Sequence, residues 1–299
     1  MTAPLHIGIK TSPQGVDWPT LESVWARIGE QPAFESVWMN DHLTDIGADR
    51  AGASWEAITA MAALAHHVPG RWLGHAVLSA TFRHPTVTAK AATVLDHVTG
   101  GRFILGLGAG WFEPEHTPFG IAFPPMPERF DRFESAVRTV RALFSESAAT
   151  DAGVTRPDPF YPLTGATNDP PPVRAGGPPI WLGGQKRRGI ALAAELADGW
   201  LLPAVLPDKS ATDMTYFAGR IDALREAMAA IGRDPAGFAL VAQVPAGRTA
   251  EHRRAALAGA RQARRDGATH VIVGIPPDAG PAAVDAAARE IAEPLRDAG

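Results

Sequence analysis

The chain has 299 residues, 45% of them hydrophobic, with 28 Lys and Arg against 32 Asp and Glu, a net charge of −4 and no cysteine. That hydrophobic share suits a large buried core, and the charge gives no basic footprint for nucleic acid or for an anionic membrane. The missing cysteines exclude disulfides, thiol nucleophiles, iron–sulfur ligation and thiolate zinc sites, and they fit a reducing cytosol.

The opening residues, MTAPLHIGIKTSPQG, carry no basic cluster followed by an apolar run, so an export signal is not expected. No stretch approaches the roughly 18 apolar residues of a membrane span. A cytoplasmic protein is the expectation. From there short apolar runs alternate with segments of helical period. LHIGIK (5–10) reads as a strand and 18–30 as a helix; ESVWMN (35–40) and 54–67 repeat the pair. LGHAVLSA (73–80) precedes a helix at about 85–98, whose buried face is expected at Val87, Ala91, Val94 and Val98. FILGLGA (103–109) is followed late by a helix near 127–146, with Phe130, Phe133, Val137, Val140 and Phe144 in one stripe.

The second half keeps the rhythm. PIWLGG (179–184) leads to a helix over 187–197, and GWLLPA (199–204) to one marked by Phe217, Ile221, Leu224, Met228 and Ile231. FALVAQVP (238–245) precedes a helix at about 249–265. THVIVGIP (269–276) precedes the last, lined by Val284, Ala288, Ile291 and Leu295. Eight strand–helix units in this length predict an α/β fold, a closed (β/α)8 TIM barrel spanning 1–299 as a single domain. Apolar runs rather than alternation fit strands buried on both faces. The irregular, Pro- and Gly-rich stretch 147–178 interrupts the order between the fourth helix and the fifth strand. It is either a functional loop or lid or a surface insertion without a role.

Gly106, Gly108 and Gly110 are spaced G-x-G-x-G at the end of the fourth strand. A dinucleotide fingerprint needs G-x-G-x-x-G with a helix opening directly after it, in the first βα turn, so an NAD site is not expected. Two readings stay open: close approach of a flat ligand to the backbone, or relief of crowding where strands converge.

FESVWMNDHL (34–43), LSATFRHP (78–85), GGRFILGLGAGWFEPEHTPFGIAFPPMPERFDRFE (100–134) and PPIWLGGQKRRGIALAAELADGWLLP (178–203) together resemble the bacterial luciferase-like monooxygenase superfamily, in particular its coenzyme F420-dependent oxidoreductases. The resemblance covers roughly 5–203. It implies a (β/α)8 barrel that binds a deazaflavin or flavin at its C-terminal mouth, often as a homodimer. It places Asp41 and His42 beside the cofactor ring, and Ser79, Ala80 and Thr81 at a bulge whose first two residues can be joined by a cis peptide. It places Gly183, Gly184, Gln185, Lys186 and Arg187 around the cofactor phosphate. F420-dependent sugar-phosphate dehydrogenases of this superfamily have a catalytic Glu where this chain has Trp111, and many members have Asn at Phe112; both departures argue against that particular activity.

On their own chemistry, His42 is a proton donor or acceptor near neutral pH, and Asp41 either fixes its orientation or hydrogen-bonds the cofactor. GGQKRRG at the opening of a helix is a natural anion site, because cations there oppose the helix dipole unless an anion sits nearby. Gly108 and Gly110 either admit a flat ring or only relieve crowding; Trp111 and Phe112 either wall the ring or belong to the core. Arg83 and His84 are contacts or surface. His66 and His67 read as solvated or capping groups, and no metal-ligand spacing such as H-E-x-x-H is present. Glu113 and Glu115 form a candidate carboxylate pair. The expectation is hydride transfer between F420 and a small organic substrate. The alternatives are an FMN-dependent monooxygenase, a barrel that binds cofactor without turnover, and a lyase using Lys10.

Overall fold

The computed structural model describes residues 4–46, 52–203 and 214–297. Its strands are β1 (His6–Thr11), β2 (Ser36–Met39), β3 (Trp72–His75), β4 (Leu78–Ser79), β5 (Phe103–Gly108), β6 (Val154–Arg156), β7 (Leu163–Ala166), β8 (Ile180–Gly183), β9 (Gly199–Pro203), β10 (Ala239–Pro245) and β11 (His270–Gly274). β6 and β7 form a separate antiparallel hairpin; the rest make one parallel sheet. β1 pairs with both β2 and β11, and the additional pairing of β3 with β5 closes the ring. β3 and β4 are two pieces of one barrel strand. The barrel thus has eight staves, and the expected (β/α)8 fold is the observed one. The strand expected at 199–204 ends at Pro203; Ala204 lies outside the described residues.

Side chains alternate along each strand between two apolar layers. Trp38, Ile104, Trp181, Leu201, Val241 and Ile272 point into the barrel. Val37, Met39, Leu105, Ile180, Leu182 and Val273 point out, against the helices. The inner layer is centred on a stack of Trp38 and Trp181, with ring centroids 5.1 Å apart. Glycine makes room for it: a Cβ on Gly74 would lie 2.4 Å from the Trp38 ring, and one on Gly199 2.7 Å from Trp181.

The helices are α1 (Trp18–Glu30), α2 (Ala57–Leu64), α3 (Pro85–Thr99), α4 (Met126–Leu143), α5 (Arg187–Leu196), α6 (Met214–Ala230), α7 (Ala250–Arg265), α8 (Gly280–Ala287) and α9 (Glu293–Arg296). The expected stripes of α4 and α6 face the core, apart from Ile231, which is exposed. α3 is a correction. Val87, Val94 and Val98 are more than half exposed, and the helix buries Ala89, Ala92, Thr93, Leu95 and Asp96 instead. Small residues let α3 lie close to the sheet. Its buried polar groups find partners in the 147–178 stretch: the Asn168 amide donates to Thr93 Oγ1, and the Arg174 backbone N–H to Asp96.

That stretch is therefore not structureless. The β6–β7 hairpin is fastened by Asp158, whose carboxylate accepts from the backbone N–H groups of Phe160 and Tyr161, accepts from Ser135 and pairs with Arg156. Burial opposes the charge on Asp158, yet these donors hold its pKa down at about 2.

Candidate functional site

The C-terminal ends of β2, β4, β5 and β8 meet on one rim of the barrel, where Ser79 is level with Gly108 and Leu107 with Leu182. All the residues singled out from the sequence lie on this rim or in the loops leaving it: Asp41, His42, Ser79, Ala80, Thr81, Gly108, Gly110, Trp111, Gly183, Gly184, Gln185, Lys186 and Arg187.

Asp41 and His42 leave β2 in different directions and have different partners. The Asp41 carboxylate, 3% exposed, accepts a bidentate pair from Arg83 at 2.7 and 2.9 Å and the Ser79 backbone N–H at 2.9 Å. Arg83 also pairs with Glu56. Burial alone would lower the Arg83 pKa, but Asp41 and Glu56 more than reverse it, so the guanidinium is firmly charged. Asp41 thus ties the loop after β2 to the loop after β4, and it does not orient His42.

That task falls to Glu115. His42 Nδ1 donates to both Glu115 oxygens, at 3.0 and 3.1 Å, and the Leu43 N–H reaches Oε2 at 3.0 Å. Glu115 is 2% exposed and sits in a short turn, Glu113–Glu115, while Glu113 faces solvent. The two carboxylates therefore do not form a pair. A carboxylate on Nδ1 fixes the tautomer and leaves Nε2 as the atom that exchanges a proton. Nε2 has no hydrogen-bond partner among the described residues, and the edges of Trp111 and Phe112 stand over the ring at 5.9 and 6.4 Å. Trp111 is 58% exposed, a rim residue and not part of the core.

A second buried histidine organises the other side. The Phe112 carbonyl can only accept, so His116 Nδ1 donates to it, at 2.9 Å. In the neutral ring Nε2 then accepts from Thr81 Oγ1 at 2.7 Å, which in turn accepts from Ser79 Oγ at 2.7 Å. The direction of the chain leaves the Ser79 oxygen offering lone pairs to the mouth.

At all three glycines at the end of the fourth barrel strand a Cβ would press on the chain's own atoms, which is the crowding reading. A Cβ on Gly106 would strike the His75 carbonyl at 1.7 Å, which is relief of crowding. Gly110 has φ +76° and lies against Ser79 and Thr81 at the rim. Gly108 faces Val77, and so does Gly183. The cis peptide in this region is Ala76–Val77, not Ser79–Ala80: the irregularity falls where the ladder lapses between β3 and β4, and Ser79 is already back in register. The Val77 side chain lies between Gly108 and Gly183.

After β8, Gly184 (φ +132°) packs on Gly189, and its carbonyl accepts from Trp200 Nε1. Gln185 accepts from the Tyr216 hydroxyl. α5 begins at Arg187 with no side-chain cap. The side chains of Lys186 and Arg187 are exposed and have no partner among the described residues, whereas Arg188 turns away to Asp131 and the Pro127 carbonyl on α4.

Two cavities of about 340 Å³ adjoin the rim. One lies between Ala80, Thr81 and Ala109 and the first turns of α4, with Tyr161 of the hairpin segment in its wall. Arg129 lines it, 8% exposed, over the Phe123 ring. Its Nη1 donates to the Pro124 carbonyl, its Nε is unsatisfied, and no carboxylate pairs with it among the described residues. Burial lowers its pKa. Glu113 offsets that burial only in part, a buried cation of this kind favours an arriving anion, and nothing in the sequence pattern distinguishes Arg129 from its neighbours. The other cavity lies among Lys10, Gln243, Val244, Pro245, Ile275 and Pro276, with Lys10 Nζ donating to Gln243. No helix among the described residues is long and apolar enough to cross a membrane.

A sequence profile described as luciferase-like monooxygenase matches residues 11–297. The phthiodiolone/phenolphthiodiolone dimycocerosates ketoreductase of Mycobacterium tuberculosis is 32% identical over 218 residues, 67% of this chain and 54% of that protein. An F420-dependent glucose-6-phosphate dehydrogenase of Microbacterium testaceum is 30% identical over 203 residues, 67% of this chain and 57% of its own length. The chain thus spans about half the length of the curated relatives it matches. Among solved structures, an F420-dependent secondary alcohol dehydrogenase, in complex with an F420-acetone adduct, superposes with a TM-score of 0.79 at 17% identity, covering 98% of this chain and 99% of its own.

Proposed function

Because the chain belongs to the luciferase-like monooxygenase family, we propose that it is an oxidoreductase that moves a hydride between coenzyme F420 and the carbonyl or alcohol carbon of a small organic substrate. The observation that carries this reading is the buried His42–Glu115 pair at the barrel mouth. The names of the relatives, a ketoreductase and two F420-dependent dehydrogenases, support both the cofactor and the carbonyl chemistry.

The residues present fit a planar ring with an anionic side arm. The Val77 side chain fills the space beside Gly108 and borders Gly183, giving an apolar surface against which a planar ring can lie. Ser79 offers an acceptor to a ring N–H. Lys186, Arg187 and the uncapped amides opening α5 take the negative arm, with the orphaned Arg129 as a further cation. When bound, the cofactor supplies the hydride. His42 Nε2 gives a proton to the carbonyl oxygen as the carbon is reduced, or removes it from the alcohol in the reverse direction. Glu115 keeps that nitrogen facing the mouth and stabilises the imidazolium form. Trp111 and Phe112 cover the ring and keep water from it. The cavity beside Lys10 and Gln243, on the β1, β10 and β11 side, holds the substrate. The exposed Val87, Val94 and Val98 of α3 are the surface for a homodimer contact, which light scattering of the wild type against a Val94→Lys variant tests.

The test is a thermal-shift and fluorescence titration with F420, FMN and NADPH, since a ligand of the folded state raises Tm, and more so the tighter it binds at a given concentration. Stabilisation by F420 alone, with reduction of a ketone panel that His42→Ala abolishes, is the expected result. Stabilisation by FMN alone would move the assignment to a flavin monooxygenase. F420 binding with His42→Ala as active as the wild type would refute the role of His42.

A further inference from the structure

α1 and the short turn that follows α2, Ala65–His67, carry a cluster unrelated to the mouth. Glu22, His66 and His67 each bring one ligand atom to within 4.8 Å of the other two. None of them lines the rim or either cavity. His67 Nε2 is shielded from solvent and has no hydrogen-bond partner, although Glu22 Oε1 is 3.5 Å away. That separation is too long for a good hydrogen bond. It is close to the edge of a coordination tetrahedron, since bonds of about 2.1 Å to nitrogen and oxygen place neighbouring ligand atoms roughly 3.4 Å apart.

His66 is prepared in a complementary way. Its Nδ1 donates to the Ala63 carbonyl at 2.8 Å, which leaves the opposite ring nitrogen a bare lone pair. Histidines that bind metals are commonly oriented by a carbonyl in this manner. The two imidazoles lie with centroids 3.9 Å apart, tilted by 39°. Two imidazoles and one carboxylate are a donor set for a borderline divalent ion, zinc above all, and unsuited to magnesium or calcium, which prefer oxygen.

We propose that Glu22, His66 and His67 form a divalent transition-metal site of the zinc type, with water completing the coordination, that links α1 to the turn after α2. Bound metal joins two helical elements through their side chains and so stabilises the fold without entering the reaction.

The experiment is calorimetric titration of the purified chain, stripped with chelator, with zinc chloride and with magnesium chloride, together with Tm in each. One equivalent of zinc, a raised Tm and no response to magnesium are expected. His67→Gln and Glu22→Gln are expected to weaken zinc binding at least ~10-fold while leaving the chelator-treated Tm and the F420 titration at wild-type values. His97→Gln, a histidine outside the cluster, serves as the control and is expected to bind as the wild type does. No zinc binding at 100-fold the protein concentration, or binding that survives both cluster variants, overturns the proposal. If a cluster variant changes the chelator-treated Tm, His66→Gln provides the same comparison from a more exposed position.

Discussion

Glu115→Gln is the substitution that most directly probes the site. The carboxylate serves two donors, His42 Nδ1–H and the Leu43 N–H, and it is 2% exposed. A glutamine of the same shape has one oxygen and one NH2. If its oxygen faces Leu43, its NH2 meets His42 Nδ1 and drives the ring to the other tautomer, with the proton on Nε2. If its oxygen faces His42, the Leu43 N–H loses its acceptor. An unsatisfied buried donor costs roughly 1–3 kcal/mol. With an unfolding entropy of roughly 2.1 cal/mol/K per residue, a chain of this size has about 0.6 kcal/mol/K, so Tm falls by about 2–5 °C. Loss of a correctly poised acid–base group costs on the order of 100- to 10,000-fold in rate. Differential scanning calorimetry reads the first number. Imidazole 15N shifts in protein labelled at histidine report the tautomer without any substrate, and ketone reduction reads the rate. An unchanged Tm together with an unchanged His42 nitrogen spectrum would refute the argument that Glu115 fixes this ring.

Arg83→Met leaves Asp41 buried with only the Ser79 N–H, and breaking such a pair from one side costs about 3–5 kcal/mol by urea denaturation. Arg129→Met has the opposite sign: it removes a buried cation that lacks a close ion pair and whose Nε is unsatisfied, so Tm is expected to hold or rise while F420 affinity falls about 10-fold or more, read by fluorescence titration. Burial lowers the pKa of His75 from 6.5 to about 4, so the native state refuses a proton that the unfolded chain accepts. Stability from this group is complete above pH 6.5 and declines as pH drops towards 4, by roughly 2 kcal/mol between pH 7 and pH 4.5, and His75→Leu removes that part of the slope. Gly74→Ala drives a methyl group into the Trp38 ring and is expected to cost at least about 1–3 kcal/mol in the same denaturation assay.

The barrel was legible because its signal is local. Each stave is a short apolar run, each helix has its own period, and the rim follows once the strands are placed. What stayed hidden is held by partners far apart in sequence. Asp41 and His42 read as a working pair because they are neighbours, yet their partners are Arg83 and Glu115, 42 and 73 residues away. Nothing in the run WFEPEHT shows that Glu113 faces water while Glu115 is buried. α3 misled for a different reason. Its valines mark the most hydrophobic face, but the sheet requires small residues, and Thr93 and Asp96 are acceptable inside only because Asn168 and the Arg174 backbone reach them. The segment that supplies those partners has too much Pro and Gly to show a period, so its hairpin and the correct face of α3 were lost together.

The paired indoles of Trp38 and Trp181 carry a kinetic consequence. They fill the middle of the inner layer, so a ligand at the described rim meets packed indole below it. A ligand of the mouth enters and leaves from the same end of the cylinder. On the proposed function the product is then expected to compete with substrate for that doorway, which initial rates measured with added product check.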